Sequence, residues 1–186
     1  MDHDRTLTSS PFPGDEGAAS AETRRLLAAV DLEATPTAYL RAIAALCTER
    51  LLVPVIATAT RLGATVDGLT SDKEAEMSVV MLQTADGRRA LLAFTGLDSL
   101  QTWRVDARPV PVTLDRAAQT ARSEGVGAVL IDVAGPHSLA IDGDVLDALA
   151  AGRRLIESEG GGFAWIVPVS DVENPGGGRD DRPGPE

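Results

Sequence analysis

MSVVMLQTADGRRALLAF, residues 77–94, holds two strand-like runs, 77–84 and 88–94, on either side of Ala85-Asp86-Gly87. Asp-Gly between two such runs is among the stronger hairpin signals, because both residues tolerate the positive φ that a two-residue turn requires. The apolar spacing on either side alternates between helix and strand periods. Downstream, a short helix is expected to run from the Thr95-Gly96-Leu97-Asp98-Ser99 segment through Trp103, followed by an extended piece at Val110-Pro111-Val112. Thr113 is placed to cap a helix over 114–123 with Leu114, Ala117, Ala118 and Ala121 inward, ended by Gly125. Strands follow at 127–132 and 137–142 around a Gly135-Pro136 turn, and Asp142 is expected to cap a helix over 143–152. A last segment, 163–169, reads as an edge strand interrupted by proline.

Upstream, 51–60 is a short apolar run suited to a buried strand, although Pro54 argues for an edge or a bulge. Asp67-Gly68 marks a turn. A first helix is expected over 21–33, with Leu26, Leu27 and Val30 on one side. Thr35-Pro36 starts a second, because proline fits a first helical turn. On it Leu40, Ile43, Leu46 and Cys47 share a face, so Cys47 is expected in the core. The expected fold is α+β, or mixed α/β: a partly antiparallel sheet of about five or six strands with four or five helices packed on it. Segments 1–20 and 171–186 are rich in Pro, Gly and acids and poor in large apolar side chains, so both are expected as disordered tails around a single domain over 21–170.

Composition narrows the function. In 186 residues, 28 acids outnumber 17 bases for a net charge of −11. That field repels phosphate, so nucleic acid is not an expected partner, whereas a protein with a basic patch is drawn to it. No apolar run reaches the length of a membrane helix, and the first residues lack the order of a secretory signal, so a cytoplasmic protein is expected. The single cysteine rules out an internal disulfide and a cysteine-rich metal site. Lys73 is the one lysine among the 17 bases, an arginine bias that GC-rich coding explains.

From about residue 49 to 152 the chain resembles the SseB N-terminal domain family in its actinobacterial form. The resemblance rests on Arg50-Leu51-Leu52-Val53-Pro54-Val55, on Asp86-Gly87-Arg88-Arg89-Ala90-Leu91 with Ala93-Phe94-Thr95, and on Leu100 and Trp103-Arg104. It continues in Ala107-Arg108-Pro109-Val110-Pro111-Val112 and Ile131-Asp132-Val133-Ala134-Gly135-Pro136. Departures fall at Val80 and Val133, where proline is usual, and at Gly96, where serine is common. The resemblance implies a fold and no catalytic residues, and it hints at a translation-linked role.

No coherent catalytic set stands out. His3 lies in the N-terminal segment and His137 follows a Gly-Pro turn, and no nucleophile elbow is present. Asp142-Gly143-Asp144 is a fragment of a calcium loop without the remainder, and the acids around Lys73 suit a solvated loop. Gly125-Val126-Gly127 precedes a strand instead of following one, so no dinucleotide cradle is expected. Neither a cofactor nor a metal is expected, and the chain reads as a non-enzyme.

The unusual stretch is 94–112, where Trp103 lies close to Arg104 and Arg108 in a chain only 3% aromatic. Tryptophan and arginine concentrate binding energy, and Pro109 and Pro111 stiffen the segment. Arg88 and Arg89 at the hairpin end extend a local basic patch. A plain structural reading competes: Trp103 caps the core and Arg108 pairs with Asp106 or a neighbour. The leading expectation is a protein-interaction or regulatory module using Trp103, Arg104, Arg108, Arg88 and Arg89 to hold a protein partner. The alternative is a small-ligand-binding or regulatory domain in which Trp103 lines a pocket and Arg104 or Arg108 holds an anionic group; converging arginines in a pocket favour it, a flat exposed Trp103 the partner. Homodimerisation through 163–169 is a further expectation.

Overall fold

Helix α1, Ala21–Glu33, begins where the Ser20 side chain accepts from the Thr23 N–H, and α2, Pro36–Leu46, begins with Thr35 doing the same for Ala38. The remaining elements are β1 (Arg50–Thr58), β2 (Glu76–Val79), β3 (Met81–Gln83), β4 (Arg89–Ala93), α3 (Leu97–Trp103), β5 (Arg108–Thr113), α4 (Leu114–Ser123), β6 (Ala128–Ile131), β7 (Leu139–Asp142), α5 (Gly143–Ala150), β8 (Arg154–Glu157) and β9 (Phe163–Ile166). This computed structural model describes residues 12, 14–58, 76–83 and 87–168. The Asp67-Gly68 turn, the run around Lys73, residues 84–86 of the hairpin and most of both expected tails lie outside them.

The strands form three sheets in the orders β2-β1-β5, β3-β4-β6-β7 and β8-β9. Every pairing but β4–β6 is antiparallel, so the fold is α+β as the hairpin signal implied. The described strands are nine, more than expected, for two reasons. The 76–83 run breaks at Val80, which gives its N–H to Pro54 and accepts from Leu92, so one run serves two sheets. The run 154–157 also forms a strand: it pairs with β9, and Gly160-Gly161-Gly162 lies in the tight turn of that hairpin.

Pro54 is neither at an edge nor in a bulge; β1 is the central strand of its sheet. Leu52 exchanges both backbone hydrogen bonds with Phe94, at 2.8 and 2.9 Å, away from β5. Pro54 shares that parity, so its missing N–H falls on the side where the β1 ladder passes from β2 to Phe94. Asp142 holds the N-cap position of α5, but its side chain makes no capping hydrogen bond.

The main core fills the side of the sheets that carries α1, α2, α4 and α5. Leu91, Val129, Ile131 and Ile141 from the sheet meet Ile43, Leu46, Leu114, Ala118, Leu146 and Leu149 from the helices, all fully buried. Cys47 is buried there as expected, its thiol pushed up by burial, and accepts from the Leu155 N–H at 3.4 Å. A smaller cluster on the other side joins Leu52, Leu92, Phe94 and Leu100, with Trp103 partly buried against it.

The N-terminal segment joins the domain earlier than residue 21. Arg50, its side chain 9% exposed, binds Asp15 through two nitrogens and also donates to the Thr95 and Ala18 carbonyls. Leu97 N–H donates to Gly17 O, and Gly17 holds φ +83 with Leu97 where a Cβ would stand. A Cβ on Gly96 would lie 2.9 Å from the Ala19 backbone nitrogen, which accounts for glycine at that departure from the family pattern.

The hydrogen bond from Arg50 holds the Asp15 carboxyl below its ordinary 3.8. A carboxylate lowered by folding adds stability above its unfolded value and loses it as pH falls through the lowered one. Asp15→Asn is therefore expected to lower stability at neutral pH and to flatten the acid limb, so that the variant and wild type converge as pH falls below about 4. Denaturant midpoints measured against pH check this; an unaltered acid limb would refute the role of the pair.

Candidate functional site

The register of the four-stranded sheet decides what each face carries. Leu82, Ala90, Ala128 and Asp142 are successive partners across β3, β4, β6 and β7. The next row on the same face is Leu92, Leu130 and Ala140. Between these rows, Met81, Leu91, Val129 and Ile141 line up on the opposite face, beneath the helices. This face, opposite α1, α2, α4 and α5 and covered by α3 only toward Leu92 and Phe94, carries a row whose centre is alanine. Small side chains there leave a hollow of about 470 Å³, floored by Leu82, Ala90, Ala128, Leu130 and Ala140.

Arg88, Arg89, Asp142 and the Gly125–Gly127 turn rim this hollow. Arg89 Nη2 donates to the Glu124 carbonyl at 3.4 Å, and Arg89 O accepts from Gly127 N–H, so the start of β4 is tied to the turn before β6. Asp142, expected as a cap, stands at the opposite end of the Leu82 row. The two arginines and the one aspartate on the rim give it charges of both signs.

At the far end of the same face, Trp103 closes the smaller core. Its ring centroid is 5.7 Å from that of Phe94, and the Arg104 guanidinium carbon lies 5.3 Å from the Trp103 centroid. Leu82 and Leu130 belong both to this cluster and to the hollow, so Trp103 and the Arg88–Arg89 rim are joined by one apolar surface. Trp103 is half-buried, as the plain structural reading held, and Arg104, in place of Arg108, faces Asp106 at 3.8 Å.

Arg108 does not join them. Along β5, Arg108, Val110 and Val112 alternate with Pro109 and Pro111, and Val112 packs on the helix-side core. Pro109 and Pro111 oppose Pro54 and Leu52, which puts them on the other side. Arg108 and Trp103 therefore belong to opposite faces, and the 94–112 segment is not one binding patch. The two prolines also lie on an edge strand with their nitrogens outward, where they close that edge to pairing.

A polar cluster that sequence reasoning missed lies where β4 and β6 end side by side. Asp132, 3% exposed with φ +48, accepts from Thr95 N–H at 2.9 Å, Thr95 Oγ1 at 2.5 Å and Ser99 Oγ at 2.6 Å. Its own N–H donates to Ala93 O, so the carboxylate clasps the start of α3 to the end of β6. Arg24 approaches from α1 and pairs with Asp98 at 2.5 Å. Thr95 and Asp132 both lay in segments that carried the family resemblance; nothing in the sequence said that they would meet. His137 is committed to a surface pair with Asp31 on α1, at 2.7 Å. Among the described residues no group of three or more His, Cys, Asp or Glu is placed to hold a metal, and no helix is long and apolar enough to cross a membrane.

A family model described as the SseB protein N-terminal domain matches residues 24–148. The match starts well before residue 49, which agrees with α1 and α2 packing on the main core. Searches of curated proteins and of solved structures returned no match.

Proposed function

We propose that this chain, which belongs to the SseB N-terminal domain family, is a non-enzymatic interaction or regulatory module that receives its partner on the face of the sheet opposite α1, α2, α4 and α5. One observation carries the reading: the hollow over Ala90, Ala128 and Ala140, with Arg88 and Arg89 on its rim, is left open by every described helix. An apolar side chain seated there covers the alanine row, and an acidic group beside it meets the arginine-bearing rim. In a chain of net charge −11 these arginines are a local exception, so their charge acts at contact range and not by steering. The translation-linked role implied by the family resemblance makes translation factors the first partners to test.

A second reading rests on the same hollow. Its volume of about 470 Å³ falls in the range of small-molecule sites, and a rim that carries arginine suits a free anionic ligand.

The test uses two variants of the face and one control. Ala128→Leu fills the floor, Arg89→Glu reverses the rim, and Arg108→Ala alters the opposite face. Purified translation factors are titrated against each. The expected result is at least a tenfold loss of affinity in both face variants, about 1.4 kcal/mol, with Arg108→Ala unchanged. If no protein binds but anionic metabolites raise the melting temperature of wild type and Arg108→Ala and not of the two face variants, the ligand reading holds. Equal binding by all four proteins sinks the assignment of this face.

A further inference from the structure

The free edges of the sheets are treated unequally. The β5 edge is closed by Pro109 and Pro111, and on β7 the Ala140 carbonyl takes the Tyr39 hydroxyl at 3.3 Å. That phenol is pushed up to about 12 by burial and by Asp142, so it stays a donor. The edge of β9 has neither device. No described strand pairs with it beyond β8, and Phe163-Ala164-Trp165-Ile166-Val167 carries no charge. Trp165, Ile166 and Val167 are 36, 40 and 66% exposed, with Ile156 beside them at 38%. An uncharged, apolar, unblocked edge is what folded proteins ordinarily avoid unless something pairs with it.

The backbone parity of that edge can be read. Ser158 N–H donates to Gly162 O at 2.8 Å, which makes 158 and 162 a hydrogen-bonded pair. Alternation then makes Ile156–Ala164 and Arg154–Ile166 bonded pairs, and Leu155–Trp165 and Glu157–Phe163 non-bonded ones. The Leu155 N–H confirms this independently, because it points to Cys47 Sγ, away from β9. The N–H and C=O of Phe163 and Trp165, and one step on those of Val167, therefore face the open edge.

We infer that β9 pairs antiparallel with β9 of a second copy of this chain about a two-fold axis at Trp165. In that register Trp165 meets its own counterpart and Phe163 meets Val167, so outward donors and acceptors match at each of these positions. No charged side chain of the strand is set against its like. The chain's own residues 171–186, rich in Gly and Pro, offer no apolar run to fill the edge instead. Pairing over so short a strand covers less than a standard interface, so the dimer is weak and dissociates on dilution. Each copy carries −11, so salt strengthens the association by screening. This pairing is independent of the face proposed for the partner.

Sedimentation equilibrium of the full chain at low and high salt provides the test. Wild type is expected to move between 19.4 kDa and twice that mass with concentration, shifting toward the dimer in salt. Trp165→Lys and Trp165→Glu each set like charges across the axis and are expected to weaken the dimer at least tenfold. Mixing the two is expected to restore a one-to-one heterodimer. Val167→Lys, at a more exposed position, is expected to weaken association without disturbing the hairpin, and serves if the Trp165 variants misfold. A wild type that stays monomeric, a dimer that survives these substitutions, or folded Trp165 variants that fail to recombine would each overturn the inference.

Discussion

Asp132→Ala is expected to destabilise the fold by about 3 kcal/mol, a large part of what holds a domain of this size together. The carboxylate is the acceptor for Thr95 N–H, Thr95 Oγ1 and Ser99 Oγ, all within 2.9 Å and all buried. Removing it strands these donors, each at roughly 1–3 kcal/mol, with partial relief because Ser99 Oγ also reaches Gly96 O at 3.1 Å. Alanine also fits badly at φ +48, a conformation that Asp and Asn tolerate better than most residues. Asp132→Asn keeps the backbone preference and the shape but turns one acceptor into a donor facing a donor, so a smaller loss is expected. Urea denaturation with an unchanged slope reads both losses; thermal melting is expected to fall about 6–12 °C for alanine. A loss under about 1 kcal/mol for alanine would mean that the clasp is dispensable.

Phe94→Ala is expected to cost about 3–5 kcal/mol, by lost burial and by the cavity it leaves. Phe94 is fully buried, its ring backs Trp103, and its backbone closes the junction between the two larger sheets through Leu52. The second consequence is local: without that ring Trp103 loses the surface that holds it at the end of the face that carries the hollow. In a Trp165→Phe background, Trp103 emission is expected to shift to longer wavelength in Phe94→Ala under conditions where both proteins remain folded. Unchanged emission would show that Trp103 is positioned by other contacts.

These two sites differ in how far the amino-acid sequence announces them. Phe94 ends an apolar run beside a turn signal, and a buried role follows from the pattern. Asp132 ends a similar run, yet its partners are 33 and 37 residues away, and no local pattern predicts that meeting. The bounds of α1, α2 and α4 follow the spacing of apolar residues, and α1 and α2 also start at capping side chains, whereas the Thr113 side chain before α4 makes no capping hydrogen bond. The strand at 154–157 escaped because four residues in which only Leu155 is buried show no clear alternation, and its partner lies beyond a glycine run.

The candidate face shows the same division. Arg88, Arg89 and Trp103 stood out as residue types, and the fold joins them through Leu82 and Leu130. Arg108 stood out equally and is excluded by one fact, its parity on β5 relative to Pro109 and Pro111. Ala90, Ala128 and Ala140 attracted no notice, because alanine in a strand is unremarkable until register sets it beside other small residues. Elements, the buried faces of the helices and the mixed, mostly antiparallel character of the sheet were written in local pattern, because they depend on contacts a few residues apart. Which face stays bare, which arginines share it, where the buried carboxylate finds its donors and which strand edge stays open were settled only in three dimensions. Strand register and parity fix them, and these depend on pairing between segments far apart in the chain.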